Sequence, residues 1–346
     1  MPKLVSKAIK EPRVNRTMRN RIEALKKDCP QELIGTSEPM AALYSQMRQV
    51  APTHATVMIY GESGTGKDLL ARAIHELSPR REKKFVAVDC GALPETLLES
   101  ELFGHKKGAY TGALTDEAGL FQEADGGTVF LDEIASASLG VQSKLLHFLQ
   151  EGEIRRIGEN QPRKVNARVI CATNRDLEDD VKEKRFRSDL YYRLKVITLK
   201  IPPLKERGGD ILLLAEHFRK GYAAKYDKPV RGFTKKAAKA LLKAPWEGNV
   251  RELQHAVERA VVLCQGNLLS LADLEIPTPP AKGKSRYREA IEDKRRELVE
   301  TALGESRGNI TRAAASLGMD RTQLRRLMTR YGLQGSRSKG RPQEKA

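Results

Sequence analysis

Apolar residues fall along this chain in two rhythms, and the change between them divides it. From residue 56 to 201 short apolar runs recur: TVMIY (56–60), KFVAVDC (84–90), TVFLDE (128–133), ARVICATN (167–174) and VITLKI (196–201). Bounded by glycines and charged residues, such runs predict buried strands. Helical patterns lie between them, as in LLARAIHEL (69–77), and the alternation predicts a mostly parallel sheet with helices on both faces. After PPLKER (202–207) the strand signals stop. DILLLAEHFRKGYAAKY, TKKAAKALLKA and NVRELQHAVERAVVLC each carry apolar residues at helical spacing, so a smaller helical subdomain is expected. PTPPAKGKSR (277–286) reads as a linker, and one last helical unit follows it. The expected division is a basic N-terminal segment at 1–30, with one helix around NRTMRNRIEALKK, and an α/β subdomain at 31–205. A helical subdomain follows at 206–276, a linker at 277–287, a helical domain at 288–334 and a basic tail at 335–346.

Charge sharpens this division. The chain has 346 residues, 62 basic against 45 acidic, for a net +17. Residues 1–30 hold +6 and residues 281–346 hold +9, leaving +2 for the 250 between. A near-neutral body with basic ends points the ends toward polyanions. The four cysteines form no CxxC pair, and Cys171, within an apolar run, reads as a reduced core residue. The six histidines show no metal-ligand spacing. No apolar run approaches the 18 residues or so of a membrane span, and the N-terminus lacks the apolar core of a signal peptide. The chain reads as soluble and cytoplasmic.

Candidate chemistry begins with GESGTGKD, which follows one predicted strand and opens a helix. That is the context of a P-loop: Gly61, Glu62, Ser63, Gly64, Thr65 and Gly66 bring backbone N–H groups to phosphates, and Lys67 reaches the β- and γ-phosphates. Asp68 stands where a Ser or Thr hydroxyl usually holds Mg2+, and its carboxylate could hold the ion directly or through water. TVFLDE places Asp132 to hold Mg2+ and Glu133 to deprotonate an attacking water. Asn174 ends the next strand, within reach of that water or the γ-phosphate. ATP hydrolysis is the expected chemistry. Arg187 and Arg193, in RFRSDLYYRL, are the cations that a ring ATPase would lend to a neighbouring subunit; the plainer alternative is a solvated helix face. Arg251, in WEGNVREL, is placed to report nucleotide state to the helical subdomain.

Residues 306–333, SRGNITRAAASLGMDRTQLRRLMTRYGL, carry a helix-turn-helix pattern. Gly318 supplies the turn and Asp320 can cap the second helix. Leu324, Leu327 and Met328 would face inward, leaving Arg321, Thr322, Gln323, Arg325, Arg326 and Arg330 outward. That face suits the major groove of double-stranded DNA. The alternative is a plain three-helix bundle with a solvated basic face.

One stretch fits neither core nor solvated loop: HKKGAYTGAL (105–114), with a single aromatic among glycines and alanines, expected to be exposed. Taken with ADGGTVFLDE, FRSDLYYRL and WEGNVREL in order, it resembles the bacterial enhancer-binding proteins, AAA+ ATPases that activate RNA polymerase carrying sigma-54. The resemblance implies an α/β fold: an AAA+ P-loop parallel sheet with a helical lid over 31–276, plus a small all-α Fis-like helix-turn-helix domain at 288–334. It implies ATP and Mg2+ as cofactors, a hexamer when active, upstream double-stranded DNA and sigma-54 RNA polymerase as partners. The family's loop reads GAFTGA. Gly108, Ala109, Tyr110, Thr111, Gly112 and Ala113 are thereby its sigma-54 contact, with Tyr110 and Thr111 the working tip. Lys67, Asp132, Glu133, Thr173 and Asn174 become the hydrolytic set, Arg187 and Arg193 trans-acting fingers, and Arg251 the second sensor. Asp89 departs from the family's usual Asn. Only about 30 residues precede the AAA+ core, so the resemblance implies control by a trans-acting regulatory protein or by expression level. Two other readings compete. One is a DNA-binding regulator of ordinary promoters with a vestigial ATPase, which the intact GAYTGA and ATPase residues oppose. The other is a different AAA+ remodeller such as a helicase loader, which has no use for this loop beside a terminal helix-turn-helix.

Overall fold

All five predicted strands form: β1 (Val57–Tyr60), β2 (Phe85–Asp89), β3 (Thr128–Asp132), β4 (Arg168–Thr173) and β5 (Ile197–Lys200). The computed structural model describes residues 33–110, 113–276, 286–306, 308–331 and 333, with the side chains of 286–293 and 330 outside that description. The N-terminal segment 1–30 with its predicted helix, the linker through residue 285 and the tail at 335–346 lie outside the described residues. The chain divides into two units, Met1–Pro277 and Thr278–Ala346.

In the first unit the strands pair in parallel in the order β2-β3-β4-β1-β5. Alternate strand residues point to opposite faces. Val57, Ile59, Phe130, Ile170 and Ala172 pack on one face under α1 (Glu38–Val50) and α2 (Lys67–Glu76). Met58, Val129, Leu131, Val169 and Cys171 pack on the other with α3 (Glu95–Phe103), α4 (Leu139–Glu151), α5 (Leu177–Lys182) and α6 (Ser188–Leu194). A sheet buried on both sides needs apolar residues at every position, which is why its strands read as continuous runs. Helix α1 was not among the elements named from sequence. Its buried stripe of Met40, Leu43, Tyr44 and Met47 is diluted by exposed polar residues.

The helical subdomain is built from α7 (Asp210–Lys225), α8 (Lys235–Lys243) and α9 (Asn249–Leu263), the three helices expected. They close around Leu214, Leu241, Leu253, Val257 and Trp246, whose indole N–H donates to Leu241 O at 2.8 Å. Strand pairing does not stop at residue 207 as expected: Gly232–Phe233 pairs with Leu268–Leu269. Two short hairpins also interrupt the α/β subdomain, pairing Gly104–His105 with Glu117–Ala118 and Glu153–Ile154 with Arg163–Lys164. Two-residue strands are too short to leave a period in the sequence.

Asp210 ties the helical subdomain to the start of the core. Fully buried, its carboxylate accepts from Thr36 N (2.6 Å), Thr36 Oγ1 (3.1 Å), Ser37 N (3.0 Å) and Ser37 Oγ (2.6 Å). The second unit is three helices, α10 (Arg286–Glu305), α11 (Ile310–Ser316) and α12 (Arg321–Tyr331), around Val299, Ala302, Ala313, Leu324 and Met328. Cys90, Cys171 and Cys264 are buried free thiols, and burial pushes Cys171 up to about 12, as a reduced core residue requires; Cys29 lies outside the described residues. No helix among the described residues is long and apolar enough to cross a membrane.

Removing the Asp210 carboxylate strands four donors at once. Asp210→Ala should lower unfolding free energy by about 3 kcal/mol, measured by urea denaturation, whereas Asp210→Asn should retain part of that loss.

Candidate functional site

The loop from Gly61 to Gly66 joins the carboxyl end of β1 to α2, at the place where β1 lies between β4 and β5. Gly61 N donates to Thr173 O at 3.3 Å, Thr65 Oγ1 to Glu62 O at 2.8 Å, and the buried Arg207 guanidinium to Thr65 O at 3.1 Å. Gly64 and Gly66 have φ of 76° and 94°, the left-handed region that favours glycine. Helix α2 starts without a side-chain cap, so its first N–H groups and the positive end of its dipole face the loop. Lys67 is 7% exposed; its Nζ donates to Gly61 O at 3.2 Å and lies 3.7 Å from Glu133 Oε1. Asp68 is exposed on the first turn of α2.

Asp89 and Asp132 are register partners on β2 and β3, which sets two carboxyls side by side at one sheet edge. Burial pushes the Asp132 carboxyl above the usual range, and the negative fields of Asp89 and Asp68 add to this against the opposing pull of Lys67. Asp132 Oδ1 accepts from Glu133 N at 2.9 Å, and Glu133 itself has a φ of 48°, unusual for a residue with a side chain. Asp89 Oδ1 accepts from Gly91 N at 2.8 Å, turning into its own loop. Thr173 is buried at the end of β4, and the next residue, Asn174, is exposed. Among the described residues no group of three His, Cys, Asp or Glu side chains could hold a metal unaided.

The helical subdomain closes directly onto the loop through the start of α9. Val250 N and Arg251 N donate to Gly64 O at 2.9 and 3.3 Å, and Arg251 Nη1 to Ser63 Oγ at 3.2 Å. Asn249, fully buried with a φ of 54°, donates from Nδ2 to Glu62 Oε2 (2.9 Å) and Ser63 O (3.2 Å) and accepts from Leu204 N (2.8 Å). Its bond holds the Glu62 carboxyl below the usual range. Sequence reading assigned Arg251 and passed over Asn249; the signal was its place in WEGNVREL, between a tight turn and a helix. A cleft of about 550 Å³ opens beside this contact, lined by Ile34, Gly66, Asp68, Phe218, Tyr222 and Arg251 among others.

Arg187 and Arg193 are not brought to this cleft by any of their bonds. Arg187 stands just before α6 without capping it and pairs with Asp189 at 2.7 Å; Arg193 donates to Leu149 O at 3.1 Å. Both are exposed at the surface.

The glycine-hinged stretch departs from expectation. Tyr110 is half-buried rather than exposed: its ring meets His105 edge-on at 5.1 Å, and its hydroxyl lies 3.4 Å from Ser100 Oγ. His105 is buried and bonds Ser100 Oγ at 2.8 Å. The turn is closed by Gly108 N to Ala113 O at 2.9 Å, and Ala113 is buried. The exposed apolar residue here is Leu114, at 79%. Thr111 and Gly112 lie outside the described residues. Lys106 pairs with Asp116 at 2.6 Å and approaches Glu159, on the second hairpin, at 3.9 Å.

On α12, Leu324 and Met328 are buried and Leu327 packs beside them, as expected. Asp320 Oδ1 accepts from Thr322 N (2.6 Å) and Gln323 N (2.9 Å), the expected cap. Arg321, Thr322, Gln323, Arg325 and Arg326 are exposed, and the Arg330 side chain lies outside the described residues.

Because burial raises the Asp132 carboxyl, its charged form costs stability once pH rises through the folded-state value, and Asn at this position removes the cost. Asp132→Asn should abolish ATP turnover yet raise the melting temperature of the nucleotide-free protein at pH 7 by about 2 °C. The gain should shrink as pH falls and vanish below the ordinary carboxyl value of 3.8, where the group is neutral in both folded and unfolded chains; calorimetry across that range checks it.

Residues 33–200 match the Sigma-54 interaction domain, 205–289 the AAA+ ATPase lid domain and 290–331 the Bacterial regulatory protein, Fis family. The transcriptional regulatory protein ZraR of Escherichia coli (strain K12) is 48% identical over 295 residues, 84% of this chain and 67% of its own. The nitrogen fixation protein AnfA of Azotobacter vinelandii is 44% identical over 313 residues, 88% of this chain and 58% of its own. Among solved structures, NtrX from Brucella abortus in complex with ATP is similar with a TM-score of 0.66 and 34% identity, covering 92% of this chain and 73% of that one. This chain belongs to the sigma-54-dependent transcriptional activators, AAA+ ATPases with a lid domain and a Fis-type DNA-binding helix-turn-helix.

Proposed function

We propose that the chain acts as a hexameric ring that binds upstream double-stranded DNA and uses ATP hydrolysis to convert closed sigma-54 polymerase complexes to open ones. The subdomain limits at 31–205, 206–276 and 288–334 belong to the same proposal. One observation carries the reading. A single nine-residue helix, α3, leads from the loop after Asp89 to Gly104 at the root of the Tyr110 turn. At 1.5 Å per residue that is a strut of about 13 Å. It separates the turn from the hydrolytic residues yet joins the two.

Lys67, 3.7 Å from Glu133, reaches the phosphates at the α2 N-terminus, and Glu133 takes the proton of the attacking water as the bond to the leaving phosphate oxygen breaks. Asp132 and Asp68 would hold Mg2+, which when bound neutralises charge on the phosphate oxygens. Asn174 positions the water, and Arg251 senses the phosphates from the lid. Arg187 and Arg193 serve a neighbour's site, in keeping with bonds that lead away from their own. Movement of the α3 strut frees Tyr110 from His105, so that Tyr110 and Thr111 meet sigma-54 while Gly108 and Gly112 hinge the turn. Arg321, Thr322, Gln323, Arg325, Arg326 and Arg330 face the DNA.

The separating experiment measures ATPase and open-complex formation side by side with sigma-54 polymerase. Tyr110→Ala should keep at least about half the ATPase and lose activation, since a buried aromatic can dominate a small contact. Tyr110→Phe should activate. Normal promoter opening by Tyr110→Ala would refute the loop's role.

Glu133→Gln should bind ATP and hydrolyse it roughly 100-fold more slowly or worse, and Lys67→Ala should lose ATP binding. Wild-type turnover by Glu133→Gln would remove it as the base. Fluorescence anisotropy on promoter DNA should show the salt slope falling by about one for each phosphate-contacting arginine removed from α12.

A further inference from the structure

Glu133 follows β3 and Arg187 precedes α6, and Ile134 and Leu190 beside them share one core cluster. One buried side chain also bonds the backbone near Glu133, at Ala137, and that of Arg187 itself. Gln142, on the first turns of α4, is 0% exposed. Its Nε2 donates to Ala137 O at 2.8 Å and to Arg185 O at 3.1 Å, and its Oε1 accepts from Arg187 N at 2.8 Å. Ala137 closes the short 3-10 turn that starts from Glu133. A parallel tie runs through Asp180, also buried. Its Oδ1 accepts from Arg175, the residue after Asn174, and from Arg185, while Arg175 reaches Ala135 O at 3.5 Å. The Arg187 guanidinium stays at the surface, bonded to Asp189.

A buried amide with both ends bonded is rigid, because losing any one bond leaves a polar group unsatisfied. We infer that Gln142 is a positioning residue for ATP hydrolysis: it sets Arg187 from the turn that carries Glu133, so the state of a subunit's own site fixes the finger offered to its neighbour. The inference rests on the proposal that Arg187 acts in trans.

The test mixes full-length inactive subunits under conditions shown to form mixed rings. Arg187→Ala with Lys67→Ala should recover ATPase; no recovery refutes the trans finger itself and the inference with it. Gln142→Met, similar in length and without polar ends, should assemble, bind ATP within about twofold of wild type and lose at least about tenfold in kcat. Mixed with Lys67→Ala it should recover as the Arg187 variant does, because the Lys67→Ala subunit supplies an intact finger to an intact site. Mixed with Arg187→Ala it should not recover. If Gln142→Met turns over like wild type, or fails to recover with Lys67→Ala while Arg187→Ala succeeds, Gln142 does not act through Arg187. Should Gln142→Met fail to assemble, Gln142→Glu takes its place in the same mixtures, keeping the acceptor for Arg187 N–H and losing both donor bonds.

Discussion

Two backbones meet at Gly64, and the working parts of the first unit depend on how closely. A Cβ there would lie 2.4 Å from Gly248 O and 3.0 Å from Arg251 Cβ, so any other residue would push the lid off the P-loop. Because that space is empty, Gly64 O can accept from the first N–H groups of α9, and Asn249 can reach Glu62 and Ser63. The nucleotide loop is thus shaped from both sides. One side is its own strand and helix; the other is a helix that begins nearly two hundred residues later.

This geometry explains what was legible in the sequence. The strands were plain because a sheet buried on both faces demands unbroken apolar runs, and the P-loop was plain because its chemistry is local to eight residues. Lys67, Asp132 and Glu133 were readable for the same reason. Asn249, Asp210 and Gln142 were not. Each does its work through partners distant in the chain, and a lone polar residue in a helical pattern carries no mark of whether it will be buried. Tyr110 failed in the opposite direction: composition described the turn correctly, but the pocket made by Ser100 and His105 depends on where α3 ends.

The acidic edge of the sheet is similarly a matter of register. Asp89 and Asp132 lie side by side only because β2 and β3 pair in parallel at that offset, and Lys67 is the nearby cation that opposes the charge on Asp132. Lys67 is itself shared between Gly61 O and Glu133.

Docking of Tyr110 against His105 has a consequence for the protein as a solute. A free aromatic tip would add a sticky side chain to the surface, prone to adhere to unrelated proteins. With the ring of Tyr110 packed on His105, anything that binds it has to displace that contact, and weak chance contacts do not. Among the described residues of the turn, Leu114 is 79% exposed while Tyr110 is half-buried against His105.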